Sequence, residues 1–222
     1  MKQFAGGVAV ITGGASGFGK EFAKNAAGLG MKLVLADIQQ DALDAAVAEF
    51  AAQGVEVIGL RVDVSKVEDV QALADAAIKT FGKVNLLFNN AGVGAGGLIW
   101  ENTERDWDWV LGVNLHGVIH GVRIFTPLML AAARKDPNWQ GHIVNVASMA
   151  GLLSLPLMSC YNVTKAGVVA LSETLAAELR SKGVRVTVLC PSFYRAEVVQ
   201  NPGFLDIAIE KLRSLFRGTT IH

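Results

Sequence analysis

The chain has 222 residues, 51% of them apolar and 18% charged, which excludes a disordered or coiled-coil polypeptide and leaves ample apolar mass for a core. Twenty Lys and Arg balance twenty Asp and Glu, so the net charge is zero and nothing in the composition offers a basic footprint to nucleic acid. Two cysteines, Cys160 and Cys190, are too few for a disulfide scaffold and read as free thiols.

At about 150 residues per domain the length fits one large domain, 1–222. The most apolar stretch, 118–133, is interrupted by His120, Arg123 and Pro127, so no run reaches the ~18 residues of a membrane span. The first residues, Met1-Lys2-Gln3-Phe4-Ala5-Gly6-Gly7, lack the layout of a signal peptide. The expectation is a soluble cytoplasmic protein with neither a membrane nor a nucleic-acid partner.

In chain order, a Val/Ile strand over 8–11 runs into Thr12-Gly13-Gly14-Ala15-Ser16-Gly17-Phe18-Gly19 and then a helix over 18–29. A strand over 32–36 ends at Asp37, and a helix over 40–53 closes at Gly54. After the strand 55–60 and Asp63, Ser65 and Glu68 have capping-box spacing for a helix over 66–81, closed by Gly82. The strand 85–88 leads into Asn89-Asn90-Ala91-Gly92. A helix over 104–133 follows, capped by Thr103 with Asp106, and Pro127 should kink or end it. The strand 142–146 ends near Ser148, a helix over 159–182 carries Tyr161 and Lys165 and closes at Gly183, and the strand 184–189 precedes Cys190-Pro191. One more helical pattern covers 204–216, and 219–221 is too short for a confident strand. Near-continuous apolar strands alternating with helices indicate a parallel α/β sheet, doubly wound in three layers, whose ligands bind beyond the carboxyl ends of the strands.

The glycine turn has a physical purpose in that position. A pyrophosphate must approach backbone N–H groups at a helix N-terminus, and side chains would block it. Gly13 permits the tight turn, Gly17 the close approach, and Gly19 close packing of helix on strand. Asp37, 18 residues after Gly19, can accept both hydroxyls of an adenosine ribose and repels a 2′-phosphate. Neighbouring Ile38 and Gln39 offer no cation for such a phosphate, so NAD is favoured over NADP. Asp63 either holds the adenine amino group or is a turn residue.

A second constellation lies beyond the strand 142–146. Tyr161 follows Ser148 by 13 residues and precedes Lys165 by four, which on a helix puts phenol and ammonium on one face. A cation there favours phenolate and is expected to draw the tyrosine pKa down from about 10, as a general acid/base requires. His116 and His120 share the same spacing but lack the intervening Glu of a zinc-protease helix, so no metal is expected.

The ordered set Thr12-Gly-x-x-x-Gly-x-Gly19, Asn89-Asn90-Ala91-Gly92, Asn114, Ser148, Tyr161-x-x-x-Lys165 and Cys190-Pro191 resembles the short-chain dehydrogenase/reductase family, over about residues 8–191. The resemblance implies a Rossmann-like fold and an NAD-dependent oxidoreductase converting an alcohol to a ketone or aldehyde. It casts Tyr161 as the acid/base, Lys165 as its modulator and a ligand of the nicotinamide ribose, and Ser148 as the group that polarises the carbonyl. Asn114 would hold a water linking Lys165 to solvent. Gly13, Ser16, Gly17, Phe18, Gly19, Asp37, Asp63, Val64, Asn90, Ala91, Gly92, Tyr161, Lys165 and Pro191 would contact the cofactor. Two departures stand out. Ser192 and Ala196 replace the family's usual Gly and Thr after the proline, and the chain reaches only His222, where relatives carry a further helix and strand; a truncated form is one reading of that.

The substrate pocket is expected from 93–99, 148–158 and the tail after Pro191, with Leu98, Ile99, Leu152, Leu153, Leu155, Leu157, Met158, Phe193 and Phe204. That lining favours an apolar or aromatic secondary alcohol. In the family, helices corresponding to 104–133 and 159–182 pair between subunits, which implies a homo-dimer or homo-tetramer. The alternatives are a redox-neutral epimerase or lyase using the same Tyr/Lys pair, and a non-catalytic nucleotide-binding scaffold.

Overall fold

The computed structural model describes residues 4–136 and 138–192. The chain divides into Met1–Ser192 and Phe193–His222. The second unit lies outside the described residues, and with it the helix expected at 204–216, the expected pocket residues Phe193 and Phe204, and the departure at Ala196.

Strand β1 (Val8–Thr12) is buried along its whole length, as an apolar run covered on both faces must be. Val8 and Val10 enter one core while Ala9 and Ile11 enter the other, following the two-residue period of a strand. The elements then alternate: α1 (Gly17–Gly28), β2 (Lys32–Asp37), α2 (Gln40–Ala52), β3 (Val57–Arg61), α3 (Val67–Phe81), β4 (Leu86–Asn89), α4 (Glu104–Leu111) and α5 (Gly117–Lys135). They continue with β5 (Gly141–Val146), α6 (Ser159–Leu179) and β6 (Val184–Leu189). All strand pairs are parallel, in the order β3-β2-β1-β4-β5-β6. The order reverses between β1 and β4, which opens a crevice at their carboxyl ends. Helices α1 and α2 bury Ala23, Leu43 and Phe50 on one face of the sheet. Helices α3, α5 and α6 bury Leu73, Phe125 and Val168 on the other. This is the three-layer architecture expected from the alternation.

Several terminators behave as their chemistry requires. Gly54, Gly82 and Gly183 all have positive φ, and Thr103 and Asp106 form a reciprocal capping box at the start of α4.

Other expectations need correction. Ser65 does not cap α3, whose N-cap is Lys66. The Ser65 N–H and hydroxyl instead donate to Asp63 Oδ1, at 3.0 and 2.6 Å. Pro127 lies inside α5 without ending it. Pro127 and Arg123 are both exposed, so the carbonyl that loses its donor is on the side facing water. The helix expected over 104–133 is broken by a π-helical turn, Gly112–His116. Finally, Glu104–Lys135 taken together is long and apolar enough to cross a membrane by length and composition, with a mean hydropathy of 1.3 over its best window. The interruptions at His120, Arg123 and Pro127 do not bring that average below the level a spanning helix needs. Its inner side, Val118, Val122, Phe125 and Met129, is buried in the core, so it is a core helix of the sheet.

Candidate active site

The crevice begins at the glycine turn. Gly13 and Gly17 have φ of +63° and +49°, a region that side-chain-bearing residues avoid. A Cβ at Gly13 would stand 3.0 Å from Ala91 Cα, and one at Gly19 would collide with the Gly13 carbonyl. The sequence therefore leaves bare backbone where α1 starts, a cradle that fits a pyrophosphate. Ser16 is the N-cap of α1, and its side chain makes no capping bond. Phe18 stacks on Phe22, which in turn stacks on Phe88 of β4 with centroids 4.6 Å apart.

Thr12, to which no role was given from sequence, fastens this turn to the loop after β4. Its Oγ1 accepts from the N–H groups of Asn90 and Ala91 at 3.0 and 3.1 Å, and Asn90 Nδ2 donates to the Thr12 carbonyl at 2.9 Å. Asp37 closes the other side: Oδ2 accepts from Ala15 N–H and Oδ1 from Gln39 N–H, both at 3.1 Å. Asp63 Oδ1 accepts from the N–H and the hydroxyl of Ser65. The carbonyl of its neighbour Val64 meets His120 Nδ1 at 3.1 Å. His116 and His120 contact each other edge to face, and no metal-holding cluster of His, Cys, Asp and Glu exists among the described residues.

Residues 90–92 are also the bridge to the second constellation. A Cβ on Gly92 would lie 3.4 Å from Asn114 Oδ1 and 3.6 Å from Lys165 Nζ. The turn and the ammonium, 146 residues apart from Gly19 to Lys165, thus flank one three-residue segment. Asn114 is fully buried on the π-helical turn. Its side chain accepts from Val93 N–H and donates to the Val93 carbonyl, each at 2.8 Å, and reaches Thr164 Oγ1 at 3.4 Å.

Helix α6 presents Tyr161 and Lys165 on one face, as their spacing predicts. Lys165 is 3% exposed, and its Nζ donates to the Val146 carbonyl at 2.9 Å. It stands 5.5 Å from the centroid of the Tyr161 ring. Burial lowers the Lys165 pKa from 10.5 to about 8, against the opposing influence of Cys190 nearby. Burial also holds the Tyr161 phenol above its ordinary value, while its hydrogen bond with Ser148 works in the opposite direction. This corrects the expectation that Lys165 draws the phenol down. The ammonium sits beside the ring with its short bond on Val146, and desolvation of the phenol outweighs the rest. Ser148 Oγ accepts from Ala150 N–H at 3.1 Å, and the Pro191 carbonyl accepts from Met149 N–H at 2.9 Å, so the end of β6 steadies the serine turn. The arrangement provides a protonated phenol paired with a hydroxyl, above an ammonium that releases its proton at mildly alkaline pH.

The two loops expected to line a substrate pocket do meet. Gly97 forms a bridge with Met158, its N–H donating to the Leu157 carbonyl at 2.9 Å, and Ser159 Oγ donates to Asn102 Oδ1 at 3.2 Å. Ile99, Trp100, Leu152 and Leu153 are exposed on these loops. Cys160, next to the phenol, is a buried thiol raised in pKa by that burial.

Comparison with known proteins agrees with this geometry. The model of a family described as short chain dehydrogenase matches residues 7–203. The chain is 38% identical over 201 residues to the C alpha-dehydrogenase of Sphingobium sp. (strain NBRC 103272 / SYK-6), covering 90% of this chain and 64% of that protein. Among solved structures it resembles a short chain dehydrogenase/reductase from Burkholderia phymatum in complex with NAD, with a TM-score of 0.84 and 49% identity over 100% of this chain and 83% of that one. It also resembles the 3-ketoacyl-(acyl-carrier-protein) reductase of Brucella melitensis complexed with NADH, with a TM-score of 0.83 and 33% identity over 89% of this chain and 79% of that one. The chain belongs to the short-chain dehydrogenase family, oxidoreductases acting on CH–OH and carbonyl groups. It spans about two thirds of the length of the curated relatives it matches first.

Proposed function

We propose that this chain is an NAD-dependent oxidoreductase that interconverts an apolar or aromatic secondary alcohol and its ketone. One observation carries the reading: the bare glycine turn and the buried Lys165, which lies beside the half-buried Tyr161 ring, flank the same segment, 90–92. NAD bound in the crevice supplies the hydride acceptor or donor. The backbone of Gly13, Ser16, Gly17, Phe18 and Gly19 would hold the pyrophosphate, and Asp37 the adenosine ribose. Asp63 and Val64 would border the adenine, with Asn90, Ala91, Gly92 and Pro191 along the remainder. Two solved relatives were crystallised with NAD or NADH, which supports the cofactor assignment.

The protein's own part is proton handling and orientation. Tyr161 gives its proton to the substrate oxygen during reduction and takes it back during oxidation. Ser148 donates to the same oxygen, where charge develops. Lys165, held by Val146, would bind the nicotinamide ribose beside the phenol. Asn114 fixes the turn that separates Lys165 from the glycine cradle. The apolar side chains of 97–100 and 152–158 favour aryl or alkyl substrates over polyols. Exposed Trp109 on α4 and Val163 on α6 support a homo-dimer or homo-tetramer through those helices, and the free thiols support a cytoplasmic, reducing compartment.

The test is Tyr161→Phe, assayed by the absorbance of reduced nicotinamide with 1-aryl alcohols and with polyols. Turnover should fall by at least about 10²-fold, with NAD binding retained. Unchanged turnover would remove Tyr161 from the chemistry, and a preference for polyols would remove the substrate class. Consumption of substrate with no net reduced nicotinamide would instead point to an epimerase or lyase.

A further inference from the structure

We infer that His120 is a positioning residue for the adenine half of the coenzyme, holding the Val64 main chain so that one N–H is kept for the ligand. This rests on the coenzyme reading above and adds a residue to it. Just past β3, four of the five N–H groups from Val62 to Lys66 have protein acceptors. Val62 donates to the Asp37 carbonyl, Asp63 to Asp69 Oδ2, Ser65 to Asp63 Oδ1 and Lys66 to the Asp63 carbonyl. The N–H of Val64 has no acceptor among the described residues, although Val64 is only 7% exposed. A buried residue whose donor the protein leaves unpaired is rare, and it fits a site where a ligand supplies the acceptor. Adenine carries a ring-nitrogen acceptor beside its amino donor, so it can take such an N–H.

The carbonyl of Val64 is fixed from α5. It lies 3.1 Å from His120 Nδ1, and a carbonyl oxygen only accepts, so that nitrogen carries the hydrogen. The contact joins residues 56 apart in sequence. Close packing keeps the two elements in step. A Cβ on Gly117 would stand 2.7 Å from Val64 Cγ2, and one on Gly112 would stand 3.3 Å from Ser65 Cβ. Between these glycines in sequence, Asn114 holds both main-chain groups of Val93. One helical stretch, 112–120, therefore braces the 63–65 turn and the loop after β4 together. His120 acts through the peptide units of Val64, by fixing where the free N–H stands.

The experiment is calorimetric titration of NAD⁺ and of AMP into the unsubstituted chain, H120N, H120L and H120M, with thermal melts to establish that each is folded. Asparagine places Nδ2 where the ring has Nδ1, whereas leucine and methionine keep bulk without a donor. Affinity for both ligands should fall about fivefold or more in the donorless variants and stay within about twofold in H120N. The KM for NAD⁺ should rise in step, with kcat at saturating coenzyme changed by less than about twofold. Equal affinity in a folded donorless variant, a fall for NAD⁺ without one for AMP, or a fall in H120N as large as in H120L would overturn the inference while leaving the NAD reading intact. Should neither donorless variant fold, NMR of the unsubstituted chain decides. Hydrogen on His120 Nδ1, with slower solvent exchange of the Val64 amide once AMP is added, supports the inference. An Nδ1 without hydrogen, or an exchange rate that AMP leaves unchanged, overturns it. Binding of neither NAD⁺ nor AMP by the unsubstituted chain would overturn the coenzyme reading as well.

Discussion

Among the described residues, the stretch from β1 to β3 buries one polar side chain, Thr12, whereas the stretch from Asn85 to Ser172 buries eight, including Asn89, Asn114, Asn145 and Lys165. The first region presents bare main chain, through glycines packed so closely that Gly19 has no room for a Cβ. The second holds its geometry with side chains taken out of water. Asn89 Nδ2 donates to Asn145 Oδ1 at 2.8 Å, Asn145 Nδ2 to Ser172 Oγ at 3.0 Å, and Lys165 to Val146. Backbone suffices for binding a group common to all dinucleotides. Moving a proton requires side chains whose pKa values are shifted, and burial is what shifts them.

The largest effect that separates the regions should come from Lys165→Met. Turnover should fall at least about 10²-fold. Stability should move differently. The folded-state pKa of about 8 lies below the unfolded 10.5, so above pH 8 the unfolded chain keeps a proton that the folded chain has released. Stability of the unsubstituted protein therefore rises with pH between about 8 and 10, by up to about 3 kcal/mol over the full shift. Below that window the burial penalty is fully present. The methionine variant should lack this rise, with part of its gain offset by the unpaired Val146 carbonyl. Urea unfolding at about pH 7 and about pH 10 measures it. A rise that persists in the variant would mean that Lys165 is not the group responsible.

The counterpart in the first region is Gly19→Ala. The added methyl meets the Gly13 carbonyl and must push the turn away from α1, which should cost about 1–3 kcal/mol of stability. NAD affinity should fall at least about tenfold because the cradle itself moves. Calorimetric titration beside thermal unfolding checks both. Full affinity in a destabilised variant would show that the grip does not depend on the turn's shape.

What could be read from the sequence follows the same division. The glycine turn, Asp37 and the alternation of apolar strands with helices are local patterns, and local backbone sterics produce them. Tyr161 and Lys165 were legible through helical periodicity. The electrostatics between them were not, because a pKa depends on how much water the whole fold excludes, and no window of sequence reports that. The π-helical turn that buries Asn114 leaves the apolar periodicity of 104–133 nearly undisturbed, so nothing local marks it. Ser65 was misread because a capping motif was weighed without the competing carboxylate at Asp63.

The smallest predicted effect tests whether the second region also stores backbone strain. In the first region every positive φ falls on a glycine, among them Gly13, Gly17, Gly30 and Gly54. In the second, Leu157 adopts φ +65°, alone among the described non-glycine residues, at the point where its carbonyl receives the Gly97 N–H. A leucine there costs about 1–2 kcal/mol, a burden that surrounding contacts must overcome. Leu157→Asn keeps the carbonyl and tolerates that conformation, while giving up a half-buried apolar side chain. The two effects oppose each other, so stability should change by less than about 1 kcal/mol, a shift of a few degrees in Tm at most. The KM for aryl alcohols should rise more than the KM for small alkyl ones, because the loop loses apolar surface and keeps its path. A destabilisation well beyond that range would mean that the leucine side chain fixes the loop, and that the strain is a consequence of its packing.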